Sequence, residues 1–226
     1  MNADAILATG GPTPRVRQTR RVESQRMSEV ATVLFPGSLI RDRVRELGQE
    51  ITRDYRGRSP VLISVLKGGA VFLADLIREI HLPLAVDFMS VSTYGEASQS
   101  SGVVRIVKDL DQDVGGEDVL IVEDIIDTGL TLSYLLSTLR ERTPRSIEVC
   151  TLLDRSARRI PPLDLRYVGF DCPDRFVVGY GLDFQERYRN LPDILAVDDM
   201  AALLADPNSL VSYLDQEPPE LAGVSG

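Results

Sequence analysis

Glu123, Asp124 and Asp127 crowd three carboxylates into a short run, and Thr128, Gly129 and Thr131 follow at once. Ahead of them, Asp118 to Val122 begins an apolar strand behind Gly115 and Gly116. Beyond them, Leu132, Leu135, Leu136 and Leu139 recur at helical spacing. The turn from Asp127 to Thr131 therefore joins a buried strand to the first turn of a helix. Free backbone N–H groups and the positive end of the helix dipole favour a phosphate at such a turn. Gly129 lets the backbone approach closely, and the hydroxyls of Thr128 and Thr131 add donors. The G-x-x-x-x-G-K-[ST] spacing of a P-loop is absent. Ionised carboxylates only accept hydrogen bonds, so Glu123 and Asp124 suit the two donors of a sugar diol. Asp127, one helical step nearer the phosphate, is placed to handle a proton. The plainer alternative is that Asp124 and Asp127 cap the helix.

The elements that must position this loop can be read from spacing. Ser38 stands before a stripe of Ile40, Val44, Leu47 and Ile51, which predicts a helix with Ser38 as N-cap. Phe72, Leu73, Leu76, Ile77 and Ile80 predict a second helix. Strands are expected at Val61 to Leu66, Leu84 to Val91, Ile147 to Leu153, Leu165 to Phe170 and Ile194 to Val197. This alternation predicts an α/β fold with a twisted, mainly parallel sheet flanked by helices on both faces. Ligands of such sheets bind beyond the carboxyl ends of the strands. Residues 1–30, with Gly10, Gly11, Pro12 and scattered arginines from Arg15 to Arg26, are expected to be a disordered tail. Residues 31–205 are expected to form one domain, followed by a segment 206–226 that is loose at its end.

With 25 basic and 34 acidic residues the net charge is −9, which disfavours a broad electrostatic grip on nucleic acid. An anionic ligand must be held locally. The single histidine, His81, excludes a histidine metal cluster or a Ser-His triad. Cys150 and Cys172 lie in apolar stretches and are expected to be reduced packing thiols, in keeping with a cytoplasmic protein. No apolar run of about 18 residues exists, so no membrane span is expected.

The segment Val122-Glu-Asp-Ile-Ile-Asp-Thr-Gly129 resembles the phosphoribosyl-diphosphate (PRPP) motif of phosphoribosyltransferases, in the form found in their hypoxanthine-guanine members. The resemblance continues through Leu66-Lys67-Gly68-Gly69, Ser92-Thr93-Tyr94-Gly95, Val107 to Asp111, Asp174 to Asp183, and Glu186-Arg187-Tyr188-Arg189, covering residues 33–200. It implies the type I fold of that family with a small base-binding hood region. The implied activity is transfer of the 5-phosphoribosyl group from PRPP to N9 of a 6-oxopurine, hypoxanthine or guanine. Pyrophosphate leaves, and IMP or GMP forms in purine salvage.

The resemblance also implies residue roles. Glu123 and Asp124 would hold the ribose hydroxyls, and Ile126, Asp127, Thr128, Gly129, Leu130 and Thr131 the 5-phosphate. Asp127 would be the general base near purine N7. Lys67 and Gly68 would bind pyrophosphate beside a non-proline cis peptide between Leu66 and Lys67, and Arg189 would reach the same group. Phe176 would stack on the purine, Val177 would offer backbone groups to its edge, and Arg155 and Asp183 would complete the base pocket. Ser92, Thr93 and Tyr94 would begin a mobile lid. Magnesium would bridge ribose and pyrophosphate oxygens, with Glu123, Asp124 and Asp183 as its protein-side partners. A homodimer or homotetramer is implied as well. Two positions depart from the pattern: Arg155 stands where the family usually has lysine, which puts base preference in doubt, and Leu130 where some relatives have lysine. A xanthine-preferring enzyme and a PRPP-sensing, nucleic-acid-binding regulator are the alternatives.

Overall fold

The computed structural model describes residues 30–94 and 103–214. The expected N-terminal tail up to residue 29, the 95–102 stretch of the expected lid and the end from residue 215 lie outside them. The described residues fall into two compact units, 44–173 and 30–43 with 174–214, where one domain was expected. In chain order the elements are β1 (Ala31–Phe35), α1 (Gly37–Asp54), β2 (Val61–Leu66), α2 (Gly69–Glu79), β3 (Ala85–Tyr94) and β4 (Val103–Lys108). There follow β5 (Asp118–Ile126), α3 (Leu130–Arg140), β6 (Ser146–Asp154), β7 (Tyr167–Asp171), β8 (Val177–Val178), β9 (Ile194–Val197) and α4 (Met200–Ala205).

In the first unit the sheet order is β4-β3-β2-β5-β6-β7, parallel throughout except for the antiparallel pair β3 and β4. Strand side chains alternate between faces. Val61, Ile63, Val119, Ile121 and Val149 therefore share one face, where they form a core with Leu132, Leu135, Leu136 and Leu139 of α3. Ser64 points the other way, and Gly69 at the start of α2 lies against it while α2 packs on β2 and β5. With helices on both faces, the central strands are apolar on both sides, which is why β5 reads as a continuous hydrophobic run. Each fully buried Val, Leu or Ile contributes about 1.5–3 kcal/mol.

At the foot of β5, Asp118 is 1% exposed. Its carboxylate accepts from the Ser146 hydroxyl at 2.6 Å, Arg145 at 3.0 Å and Arg58 at 3.3 Å. Burial disfavours the charge, but the Ser146 and Arg145 hydrogen bonds outweigh it and hold this carboxyl below the usual carboxylate range.

The second unit carries an antiparallel sheet, β1-β9-β8. Its core gathers Ala31, Val178, Phe184, Leu195, Leu203 and Tyr213, and the Tyr213 hydroxyl donates to the Ala31 carbonyl at 2.5 Å. Asp199 caps α4 by accepting from the Ala202 amide at 2.9 Å.

Most expected elements are present, with four corrections. Ser38 is not a cap but an exposed residue inside α1. The first amide, that of Gly37, donates instead to Asp193 at 2.6 Å, so a distant carboxylate does the capping. β7 starts two residues later than expected, because Arg166 is held sideways by Asp54 at 2.8 Å. β5 runs to Ile126, so Glu123 and Asp124 lie within the strand rather than ending it. The short elements β1, β4, β8 and α4 were not foreseen. Both cysteines are free and buried, as expected. Among the described residues no helix is long and apolar enough to cross a membrane.

Candidate active site

β5 lies between β2 and β6, so its carboxyl end opens at the middle of the sheet. Glu123 is buried there. Burial, and then the charge of Asp124, push its carboxyl well above the usual range. Asp124 accepts from the Ile125 amide at 2.8 Å. Its carboxylate lies so close to Gly68 that a Cβ at residue 68 would overlap it. The structure thus brings the Lys67–Gly68 loop against the acidic pair, and the Leu66–Lys67 peptide is cis as the resemblance implied. Lys67 is exposed at the surface of this loop.

Past β5 the chain turns through Gly129 in the left-handed region at φ +81°, and α3 begins at Leu130 with no side-chain cap. The capping alternative for Asp124 and Asp127 is therefore wrong. Asp127 Oδ2 instead accepts from Arg155 at 3.3 Å and from Arg158 at 3.4 Å. Its Oδ1 is buried and has no hydrogen-bond partner among the described residues. The loop carbonyls point back into the protein. Those of Ile126 and Thr128 accept from the amides of Arg155 at 3.0 Å and Ile160 at 2.9 Å. A cavity of about 210 Å³ opens on the other side, lined by Glu123, Ile126, Asp127, Thr128, Gly129 and Thr131 among others. Six of the expected PRPP residues thus meet in one hollow, while Leu130 is partly exposed at the helix start.

Arg155 was expected to reach a base. In this structure its guanidinium, almost wholly buried, is turned to Asp127, because a carboxylate beside a long cationic fork is the stronger attraction. Ser92, Thr93 and Tyr94, expected to begin a lid, form the end of β3, in register with Arg105, Val104 and Val103 of β4. Arg158 and Arg159 were missed. The available signal was the run of cations from Arg155 to Arg159 after a strand neighbouring the acidic one.

The remaining expected residues belong to the second unit. Phe176 is 41% exposed, with its ring edge-on to Phe184 at 6.2 Å. Val177 is buried in β8, an edge strand whose outer side no other described strand uses. Asp183 and Arg189 are paired at 2.7 Å, Asp183 also accepts from the Glu186 amide at 2.9 Å, and Arg189 donates to the Gly181 carbonyl at 2.8 Å. Among the described residues no group of three or more histidine, cysteine or acidic side chains is arranged to hold a metal ion.

A family model of the phosphoribosyl transferase domain matches residues 32–185. A hypoxanthine-guanine phosphoribosyltransferase of Mycobacterium avium is 52% identical over 176 residues, which are 75% of this chain and 87% of that protein. One from Bacillus subtilis is 52% identical over 166 residues, 74% of this chain and 92% of that one. The crystal structure of a hypoxanthine-guanine phosphoribosyltransferase from Bacillus anthracis matches with a TM-score of 0.72 at 45% identity, covering 74% of this chain and 99% of that one.

Proposed function

The chain belongs to the phosphoribosyltransferase family, and from that membership together with its site we propose that it transfers phosphoribosyl from PRPP to N9 of hypoxanthine or guanine. The observation that carries this reading is the loop after β5. Its carbonyls are turned back and it borders a cavity at a helix start, where Glu123 lines the wall and Asp124 follows it in β5. Such a loop takes a phosphate on its N–H groups and a ribose diol on Glu123 and Asp124. Asp127 Oδ1 is an acceptor without a donor, which suits the N7 proton of a purine as N9 attacks. Arg155 would leave Asp127 for the 6-oxo group when the base arrives. Phe176 would stack on the ring, Val177 would offer its outward backbone groups, and Lys67, Gly68 and Arg189 would hold the departing pyrophosphate.

Glu123 and Asp124 also fit magnesium. Two neighbouring carboxylates, one kept from ionising easily first by burial and then by the charge of the other, gain from a nearby hard cation. With no three-acid cluster among the described residues, the ion would be held mainly by ligand oxygens and water, with Asp183, as the resemblance implies, a further partner. When bound it supplies charge neutralisation for the leaving pyrophosphate. The family resemblance also supports a cytoplasmic homodimer or homotetramer as part of this proposal.

The test is product formation from PRPP and Mg²⁺ with hypoxanthine, guanine, xanthine and adenine in parallel. Turnover of hypoxanthine or guanine is expected. A preference for xanthine would move the assignment within the family, and no turnover of any base would overturn it.

A further inference from the structure

A loop that offers N–H groups to a phosphate dianion must keep its own carbonyl oxygens away from that charge and satisfy them elsewhere. Here a single segment, residues 155–160, does this for three successive carbonyls. Beyond the two amide bonds from Arg155 and Ile160, the Arg159 side chain supplies the rest. Its Nε donates to the Asp127 carbonyl at 3.3 Å and its Nη2 to the Ile126 carbonyl at 3.5 Å. The same Nη2 is tied to Asp154, which is 1% exposed at the end of β6. The guanidinium is therefore anchored to the sheet at one end and to the loop at the other, and its side chain is only 13% exposed. Its Cδ lies 2.7 Å from where a Cβ on Gly129 would stand. Arg159 does not line the cavity.

We propose that Arg159 is a positioning residue for the 5-phosphate: it aims the amides of residues 127–129 into the cavity and sets a fixed positive charge behind them. The inference rests on the PRPP reading of the loop. Lysine at this position keeps the charge and can still reach Asp154, but it has no planar fork to span two carbonyls. Loss of charge-assisted hydrogen bonds of this kind is worth roughly a tenfold change in affinity.

The experiment is calorimetric binding of ribose 5-phosphate and of pyrophosphate, each with magnesium, to the wild type, Arg159→Lys and Asp154→Asn. Asp154→Asn is included because it keeps a hydrogen-bond acceptor while removing the anchoring charge. Arg159→Lys is expected to weaken ribose 5-phosphate about tenfold and to leave pyrophosphate unchanged, with Asp154→Asn showing the same selectivity at smaller size. In turnover, KM for PRPP would rise while KM for the base would not. Equal loss of both ligands, or lowered thermal stability with unchanged ribose 5-phosphate affinity, would reduce Arg159 to a structural residue and overturn the proposal. If the wild type binds ribose 5-phosphate with this pattern but turns over no base, the transferase reading falls and the role of Arg159 stands. If the wild type does not bind ribose 5-phosphate, both fall.

Discussion

The two sets of candidate residues keep their shape by different means. In the first unit, the loop after β5 is fixed by donors to its main chain, most of them shielded from water: the amides of Arg155 and Ile160 and the guanidinium of Arg159. In the second, residues 179–190 follow their course through left-handed backbone at Gly179, Tyr180, Gly181, Gln185, Glu186 and Tyr188, tied by their own main-chain bonds and by the partly exposed pair of Asp183 and Arg189. Shielded hydrogen bonds to charged groups are worth about 1.5–3 kcal/mol, whereas exposed ion pairs contribute about 0–1 kcal/mol. The phosphate loop is thus pinned from outside by residues 155–160, whereas the stretch around Asp183 is closed largely on itself, through left-handed backbone and main-chain bonds such as those from the Tyr180 and Gly181 amides to the Leu191 and Arg189 carbonyls, both at 2.9 Å.

The hardest blow to the first set is Asp127→Asn, which keeps the shape and removes the proton acceptor. It is expected to lower kcat/KM for hypoxanthine by at least about a hundredfold in steady-state kinetics while PRPP still binds. Next come two glycines, one in each set. Gly129→Ala would strain a φ of +81° and press on Arg159 and Leu163, so KM for PRPP should rise about tenfold. Gly179→Ala, at φ +104° and overlapping the Asp193 carbonyl, should instead cost stability, about 1–3 kcal/mol, seen as a lower Tm with PRPP affinity retained. If Gly179→Ala weakened PRPP more than Gly129→Ala does, the contrast between the two sets would collapse.

Asp183→Asn is a milder probe. It removes the charged partner of Arg189, and KM for pyrophosphate in the reverse reaction should change by about twofold to fivefold with little change in Tm. The smallest kinetic effect belongs to Asp118, at the opposite end of β5 from the phosphate loop. Because its folded-state carboxyl lies below the usual value, its stabilisation is present above an unfolded pKa of about 3.9 and is lost as pH falls through the folded value. Asp118→Asn should therefore leave turnover unchanged at neutral pH, lower stability there, and flatten the acid side of a denaturation profile below about pH 4.

The first set was largely legible in the sequence. An apolar run ending in Glu123 and Asp124 and followed by Gly129 marks a strand, a turn and a helix start by side-chain type alone. The cluster of Arg155, Arg158 and Arg159 was visible, but the role of Arg159 was not legible, because its partners on the loop are carbonyls that every residue possesses. Ser38 was mistaken for a cap because the group that serves Gly37 is Asp193, 156 residues away. The second set was legible only through family motifs: most of its left-handed residues, such as Gln185, Glu186 and Tyr188, are not glycines and carry no local sign of that geometry.

The pinned carbonyls have a consequence for temperature. Fixing one residue's backbone costs about 1–2 kcal/mol of entropy at room temperature, and that cost grows with heat. In residues 127–130 the ordering is completed when the protein folds, so an arriving phosphate has little chain freedom left to remove. Its binding entropy is then governed by water and counter-ions, and its affinity should fade more slowly on warming than that of an anion which must first order its own loop.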